Sequence, residues 1–213
     1  MIDPAEFSAY VASRICHDLV SPVSSITHSL ELIDDPSDPE MQKTARELLE
    51  QGAESASIRL QFLRYAFGSL GMSDGAADIH EAKTVTEKFV STHKPSITWD
   101  IETGHLSFSH ARLMMNLVML GVQSLPRGGV IAVRIRNEQG GMTITVTSEG
   151  TRAKLQEETA HALAGQEPEM GWSSRNVQPL FTRVISEGLG AELSAHQNEE
   201  QVILMAQGIR AEG

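Results

Sequence analysis

Apolar residues in the first third of the chain recur at steps of three or four, which is the spacing of an amphipathic helix. The first stripe consists of Phe7, Val11, Ile15, Leu19, Val23, Ile26, Leu30 and Ile33. A second stripe, within Asp38 to Phe67, consists of Met41, Ala45, Leu48, Leu49, Ala53, Ala56, Leu60, Leu63 and Phe67. The pattern predicts two long helices, each with one buried face.

The connection between these helices is short. Residues Asp34 to Pro39 read DDPSDP, which is typical of a turn followed by a helix start. Two long helices joined so closely are expected to lie antiparallel. A lone hairpin buries its stripes poorly, whereas two copies form a four-helix bundle with a complete core, so we expect a homodimer. The alternative is a monomer whose C-terminal region covers the hairpin.

The pattern changes beyond Gly68 to Ala77, a stretch rich in glycine, serine and alanine that we interpret as a linker. Helices are predicted over Glu81 to His93, Ser109 to Leu125, Arg152 to Ala164 and Asn176 to Glu187. Strands are predicted over Ile97 to Ile101, Val130 to Arg136, Met142 to Ser148, Ala191 to His196 and Gln201 to Ala206. This order predicts an α/β sandwich, one mixed sheet with helices on one face. The predicted fold class is α+β, with a helical hairpin over residues 1–70 and the sandwich over residues 78–213.

Composition limits the possible functions. The chain has 213 residues, 40% of them hydrophobic, and a net charge of −11, which argues against a nucleic-acid partner. No apolar run is long enough to span a membrane, and the start MIDPAEF lacks the features of a secretory signal, so we expect a cytoplasmic protein without a membrane partner. Cys16 is the single cysteine, which excludes an intrachain disulfide.

The segment His17 to Pro22 places a histidine, an adjacent acid and a proline inside the first predicted helix. At about 100° per residue, His17 lies about 200° from both Ile15 and Leu19, so its imidazole is expected to face away from the core. Pro22 lacks a backbone donor and predicts a local bend. We interpret His17 as a phosphoryl acceptor; the alternative is an ordinary surface histidine.

Five residues around this histidine are further candidates for the site. They are Asp18, Ser21, Arg14, Val20 and Arg59. The acid is placed to hydrogen-bond the ring and the serine to hydrogen-bond a phosphoryl group, while the two arginines and the valine are placed to contact a partner. Arg59 belongs to this set because pairing positions equidistant from the turn sets His17 near Ala56. The alternative for each is a solvated side chain without a specific role.

The motifs resemble those of sensor histidine kinases. His17 to Pro22 matches the kinase H-box, and Asn116 to Val118 with Leu125 to Ile131 resembles the segment around the kinase N-box. A dimerising hairpin followed by an ATP-binding domain of the Bergerat type is the order of domains in those kinases. The resemblance covers the whole chain and implies the same two-domain fold.

The residues that hold nucleotide in those kinases are replaced here. Leu120 stands at the position of the N-box asparagine that holds Mg²⁺, and a leucine cannot ligate a hard cation. Ser148 to Arg152 stands in place of D-x-G-x-G, and Ser173 to Pro179 in place of the glycine-rich phosphate cradle. We therefore expect a degenerate domain without ATP, and no cofactor or metal bound by this chain. The other candidate ligands, His28, His105 and His110, do not group with paired carboxylates.

A kinase-like body without nucleotide chemistry resembles the ChpT-type histidine phosphotransferases of alphaproteobacterial cell-cycle phosphorelays. The segments that carry the resemblance are Arg14 to Pro22, Leu30 to Ile33, Leu60 to Gly68 and Ser124 to Gly129. It implies a homodimer that relays phosphoryl groups through His17 between receiver-domain aspartates of a hybrid histidine kinase and of response regulators, with Mg²⁺ on the receiver. The C-terminal domain is expected to pack on the hairpin and add a docking surface.

Two rival functions are a pseudokinase scaffold that binds receivers without accepting phosphate and a divergent ATP-dependent histidine kinase.

Overall fold

A computed structural model describes residues 2–33, 39–68, 76–103, 106–138 and 140–210. Helices α1 (Pro4–Ile33) and α2 (Pro39–Phe67) pack against each other as a hairpin. The two long helices are therefore confirmed. The predicted turn lies outside the described residues apart from Pro39, and the predicted linker lies largely outside them as well.

The contact between α1 and α2 is close where a glycine lacks a side chain. A Cβ at Gly52 would lie 3.1 Å from Cγ1 of Ile26 and 3.4 Å from the carbonyl oxygen of Pro22. Helix α1 continues through Pro22 as one α-helix. Further along the hairpin, Arg59 contacts the carbonyl oxygen of Asp18. The part of α2 that faces His17 therefore lies about one helical turn beyond Ala56, the residue predicted to face it.

The predicted stripe of α1 is only partly buried. Val23 is 51% exposed and Leu30 is 49% exposed. Nothing in the described chain packs over these two side chains, because the C-terminal domain covers a different part of the hairpin. Their exposure agrees with the expectation that a lone hairpin buries its stripes poorly.

The C-terminal domain contains every helix and strand that the sequence predicts, although the helix predicted from Arg152 begins only at Glu157. Its helices are α3 (Ile79–Ser91), α4 (Phe108–Gln123), α5 (Glu157–Leu163) and α6 (Val177–Gly188). Its strands are β1 (Ala76–Ala77), β2 (Ser96–Ile101), β3 (Leu106–Ser107), β4 (Val130–Glu138), β5 (Gly141–Glu149), β6 (Glu192–Gln197) and β7 (Gln201–Ile209). Strands β1 and β3 form a short separate pair that the pattern does not predict.

The main sheet is mixed, with strand order β2-β4-β5-β7-β6. Strand β2 runs parallel to β4, and the other neighbours are antiparallel. Side chains along β4 alternate between exposed and buried, as expected when helices cover one face. Helix α4 supplies most of the cover, since Met114, Met115 and Met119 are at most 2% exposed. The α+β fold class is confirmed, and these three methionines belong to the core.

Aromatic side chains join the two domains. The rings of Phe62 in α2 and Phe89 in α3 stack with centroids 3.8 Å apart. Phe181 in α6 contacts Phe67 and Phe7, with centroids 5.0 Å and 6.1 Å away. The C-terminal domain therefore packs on the His17-bearing hairpin, as the sequence predicts. Within the described residues, no helix combines the length and the apolar character that crossing a membrane requires.

Candidate functional site

The imidazole of His17 projects from α1 into solvent. Its side chain is 75% exposed, although it lies in the middle of a helix packed on one side against α2. The helical spacing predicted this direction correctly. A nucleophilic ring nitrogen is thus presented to an incoming partner on a rigid support.

Two charged side chains beside His17 are held in place. Arg14 Nε donates to Asp18 Oδ2 at 3.0 Å, and each of these side chains is only 16% exposed. The other carboxylate oxygen, Asp18 Oδ1, lies 3.4 Å from His17 Nδ1. A hydrogen on Nδ1 directed at Asp18 leaves the lone pair on Nε2. The ring thereby offers its outer nitrogen for chemistry.

Arg59 reaches the site because of Pro22. A proline has no N–H, so the carbonyl of the residue four positions earlier, Asp18, loses its donor within the helix. Arg59 Nη1 from α2 donates to that carbonyl oxygen at 3.2 Å. Arg59 is therefore close to His17, as predicted, and it satisfies a backbone group that the proline leaves free. The sequence signal for this bond is a proline within one helix together with an arginine on the facing part of the other helix.

The remaining predicted residues surround His17 at the surface. Val20 is 59% exposed, and Ser21 is also exposed. The thiol of Cys16 is free and exposed. These side chains leave the approach to His17 open.

The positions that hold Mg²⁺ and phosphate in kinases are used here for packing. Leu120 is 1% exposed inside the core. Asn116 is fully buried, and its Nδ2 donates to the carbonyl oxygens of Ala66 at 2.8 Å and Arg112 at 2.9 Å. Its Oδ1 accepts a hydrogen bond of 3.1 Å from Gln178 Nε2. These groups hold α2, α4 and α6 together.

The segment that replaces D-x-G-x-G, Ser148 to Arg152, has one residue with a positive φ and one buried residue. Arg152, at the position of the second glycine, has φ of 63°, the left-handed conformation that glycine adopts most easily. Ser148 replaces the adenine-binding carboxylate and is buried. A Cβ at Gly121 of α4 would lie 2.8 Å from Ser148 Oγ, so helix and sheet are in direct contact here. Ser148 therefore does not supply the carboxylate that the kinase motif offers to adenine.

The histidines His110 and His28 make local contacts away from His17. His110 completes a capping box with Ser107 at the start of α4, and its Nε2 lies 3.2 Å from the carbonyl oxygen of Arg210. His28 lies 3.5 Å from Glu31 on the exposed side of α1. His105 lies outside the described residues. Within the described ranges, no group of three His, Cys, Asp or Glu side chains is arranged to hold a metal ion.

The sequence did not single out His93, which lies close to the site. Burial lowers the pKa of His93, and the nearby guanidinium of Arg59 lowers it further, against the opposing effects of the Phe89 carbonyl and Asp18. Its Nδ1 lies 2.8 Å from that carbonyl oxygen. His93 belongs to the C-terminal domain, so periodicity within one segment cannot place it beside α1.

Comparison with known proteins finds relatives over the whole chain. The family model described as the histidine phosphotransferase C-terminal domain matches residues 79–201. The protein phosphotransferase ChpT of Brucella abortus (strain 2308) is 31% identical over 202 residues, which is 95% of each chain. A solved structure of a bacterial phosphotransferase superposes with a TM-score of 0.87 at 29% identity, covering 97% of this chain and 98% of that one. The likeness extends over both domains.

Proposed function

The chain belongs to the histidine phosphotransferases, and we propose that His17 is the residue that carries the phosphoryl group between the aspartates of two receiver domains. The supporting observation is the contrast in exposure around it. The imidazole is 75% exposed, whereas the Asp18 carboxylate beside it is 16% exposed and held by Arg14. A free nucleophile beside a fixed carboxylate suits phosphoryl exchange with a docked protein.

In the proposed reaction, the lone pair of His17 Nε2 attacks the phosphorus of a phospho-aspartate. The bond between phosphorus and the aspartate oxygen breaks, and the aspartate leaves as a carboxylate. The proton on Nδ1 stays on the ring, where Asp18 Oδ1 at 3.4 Å offsets the positive charge of the phosphorylated imidazole. The reverse of this step transfers the group to a second aspartate.

The partner supplies the rest of the chemistry. Phosphoryl transfer has a loose transition state, so catalysis consists mainly of in-line positioning and charge stabilisation. We assign Mg²⁺ to the receiver, where it would neutralise charge on the transferred group. This chain contributes the nucleophile, its orientation and the surface on which the receiver docks.

The proposal excludes ATP as the phosphoryl donor. Buried Leu120 and the Asn116 network occupy the positions at which a kinase would bind Mg²⁺ and phosphate. The proposal therefore separates this protein from a divergent kinase. The scaffold alternative differs only in leaving His17 unphosphorylated.

The test uses a panel of receiver domains phosphorylated with labelled acetyl phosphate and freed of excess donor. We expect acid-labile label on the wild-type chain and none on His17→Ala. The matched control is His28→Ala, because His28 lies on the same helix and is also 75% exposed. That variant should accept label like the wild type.

Three other results would contradict the proposal. Label that persists in His17→Ala would move the phosphoryl group to another residue. Receivers that bind but transfer no label would support the scaffold. Label reaching His17 from γ-labelled ATP without any receiver would support a kinase.

We also propose that two copies pair through the hairpin and that the protein acts in the cytoplasm. Nine large apolar side chains are exposed among the described residues, and six of them lie in α1 and α2. They are Val20, Val23, Leu30, Met41, Leu48 and Leu60. Two hairpins packed face to face would bury such side chains in a four-helix bundle. The free thiol of Cys16 agrees with a reducing compartment.

The dimer is tested with Val23→Glu, which would bury a charge in the bundle. We expect this variant to sediment as a monomer at concentrations at which the wild type sediments as a dimer. The control is Val184→Glu on α6, because Val184 is 47% exposed and lies outside the hairpin. A Val23→Glu protein that remains dimeric would exclude this face.

A further inference from the structure

A cleft opens beside His17 where the hairpin meets the C-terminal domain. We call it the junction cleft; Arg14, Asp18 and Arg59 line it from the hairpin, and Phe89, His93 and Met119 line it from the C-terminal domain. Its volume is about 250 Å³. Both domains build it, so its shape depends on their packing.

The floor of the junction cleft is apolar and firmly packed. Leu63 and Met119 are each 2% exposed, and Phe89 is stacked on Phe62. An apolar cavity of about 150 Å³ in another protein accommodates benzene. The junction cleft therefore has room for one large aliphatic or aromatic side chain.

The wall of the junction cleft carries an unused donor. Arg59 Nη1 is bonded to the Asp18 carbonyl, but Arg59 Nε is buried and has no hydrogen-bond partner among the described residues. A buried donor without an acceptor is unfavourable, so a shift of the Arg59 side chain that brings Nε to a partner's oxygen would gain more than the same contact at an already exposed arginine.

The charges of the cleft also favour an acceptor. Arg14 is paired with Asp18, while Arg59 forms no ion pair within the described chain. Burial lowers the pKa of His93, which favours its uncharged form at neutral pH. Two guanidinium groups and one carboxylate leave a local charge of +1 in a chain whose net charge is −11.

A partner seated on His17 would cover the mouth of this cleft. Asp18 follows His17 directly and Arg14 precedes it by three residues, which correspond to about 1.5 Å and 4.5 Å along the helix. A standard interface buries about 800 Å² on each partner, equivalent to a disc of about 16 Å radius. The junction cleft lies inside such a footprint.

We propose that the junction cleft is an anchor site for the receiver domain, which inserts one large apolar side chain and, with a shift of the Arg59 side chain, places an adjacent carbonyl or carboxylate oxygen on Arg59 Nε. This inference rests on the proposed function and adds a determinant of partner choice. Receivers that carry such a side chain in the loop facing the cleft bind, and receivers that present a cationic side chain there are rejected.

The first test fills the cleft. Gln123, an exposed residue at its rim, is changed to Trp, and Gln123→Ala serves as the control that leaves the cleft open. The probe is a receiver domain that labels His17 in the assay above. Its affinity is measured by calorimetry in a His17→Ala background. We expect Gln123→Trp to weaken binding about tenfold and Gln123→Ala to change it less than twofold.

The second test removes the unused donor and keeps the charge. Arg59→Lys should also weaken binding about tenfold, whereas Arg46→Lys, on the exposed side of α2, should have no effect. In transfer assays with His17 intact, Gln123→Trp should raise KM and leave the rate at saturating receiver within about twofold. Circular dichroism and thermal melting check that the variants remain folded.

The outcomes separate the two proposals. Normal labelling of His17 together with unchanged binding of both Gln123→Trp and Arg59→Lys would overturn the anchor and leave the phosphotransfer function standing. A wild-type chain that accepts label from no receiver would refute the function and the anchor together. A cleft that binds a second copy of this chain, seen as Gln123→Trp dissociating the dimer, would also overturn the anchor.

Discussion

His17, the proposed phosphoryl acceptor, depends on close neighbours for its orientation. His17 is in contact with one carboxylate, and that carboxylate is fixed by a partly buried arginine on the preceding turn. A side chain held this way loses less conformational entropy when a partner docks. Three side chains, Arg14, His17 and Asp18, are therefore already ordered before a partner docks.

Replacement of Asp18 tests whether this ordered arrangement contributes to phosphotransfer. Asp18→Asn removes the negative charge that balances the phosphorylated ring and weakens the bond from Arg14, so we expect single-turnover phosphotransfer to slow about tenfold. The matched control is Glu31→Gln, because Glu31 contacts exposed His28 in the same way. Equal transfer rates in both variants would remove Asp18 from the mechanism.

The buried histidine near the site predicts a pH dependence of stability. Burial lowers the pKa of His93 in the folded chain, so the unfolded chain binds the proton more tightly. Its contribution to stability is complete above the unfolded pKa of about 6.5 and falls as the pH drops from there toward the folded value. Urea unfolding should show a steeper loss of stability between pH 7 and pH 5 in the wild type than in His93→Gln.

The informative quantity in that experiment is the slope with pH. His93→Gln also loses contacts with Phe89, so its stability is lower at every pH. His28→Ala, in which an exposed histidine is removed, should keep the wild-type slope. Parallel curves for the wild type and His93→Gln would contradict the assignment.

At the scale of the helices, the proline of α1 and the arginine of α2 form one unit. Pro22 frees the carbonyl of Asp18, and Arg59 binds it from the opposite helix. The bond fixes the register of the two helices beside His17. The contact of Gly52 with Pro22 and Ile26 fixes the same register one to two turns away.

A double-mutant cycle measures this coupling. Arg59→Ala should lower the free energy of unfolding by about 1–3 kcal/mol, because the Asp18 carbonyl loses its donor. In a Pro22→Ala background the cost should be smaller by about 1 kcal/mol, since residue 22 then supplies an N–H within the helix. Chemical denaturation of the four proteins gives the coupling energy.

Pro39→Ala provides the control cycle. Pro39 is the first residue of α2, where a missing N–H breaks no helical bond, so Arg59→Ala should cost the same there as in the wild type. A coupling energy of zero with Pro22 would show that Arg59 stabilises the hairpin by another route.

The sequence predicted the elements and the direction of His17 well, because both follow from periodicity within one segment. The predicted antiparallel hairpin placed Arg59 near His17, although the part of α2 that faces His17 lies about one turn beyond the predicted Ala56. The sequence did not predict His93 or the junction cleft, since these depend on how two distant segments pack. The exposure of Val23 and Leu30 agrees with the expectation that a lone hairpin buries its stripes poorly, although a hydrophobic stripe alone does not reveal which of its residues a second copy would cover.

At the scale of the whole molecule, α4 holds the hairpin. Asn116 and Arg112 donate to the carbonyl oxygens of Ala66 and Phe67 at the end of α2. The guanidinium of Arg112 also lies over the ring of Phe181, 4.9 Å from its centroid. Positive charge at a helix C-terminus is favourable, and these bonds satisfy carbonyls that the helix leaves free. Helix α4 thus fixes the hairpin that carries His17.

This arrangement predicts that the two domains unfold together and that Arg112 couples them. Both tryptophans, Trp99 and Trp172, lie in the C-terminal domain, so their fluorescence follows that domain, whereas circular dichroism at 222 nm follows the helices of both domains, with the hairpin contributing somewhat more than half. In the wild type we expect coincident unfolding curves. Arg112→Ala removes the bonds to α2 and should lower stability by about 2 kcal/mol and separate the two curves.

Arg183→Ala, which breaks bonds to Leu163 and Glu187 inside the C-terminal domain, should lower stability and leave the curves coincident. Coincident curves in Arg112→Ala would mean that the aromatic contacts alone couple the domains, and in that case the junction cleft would keep its shape without the α4 bonds.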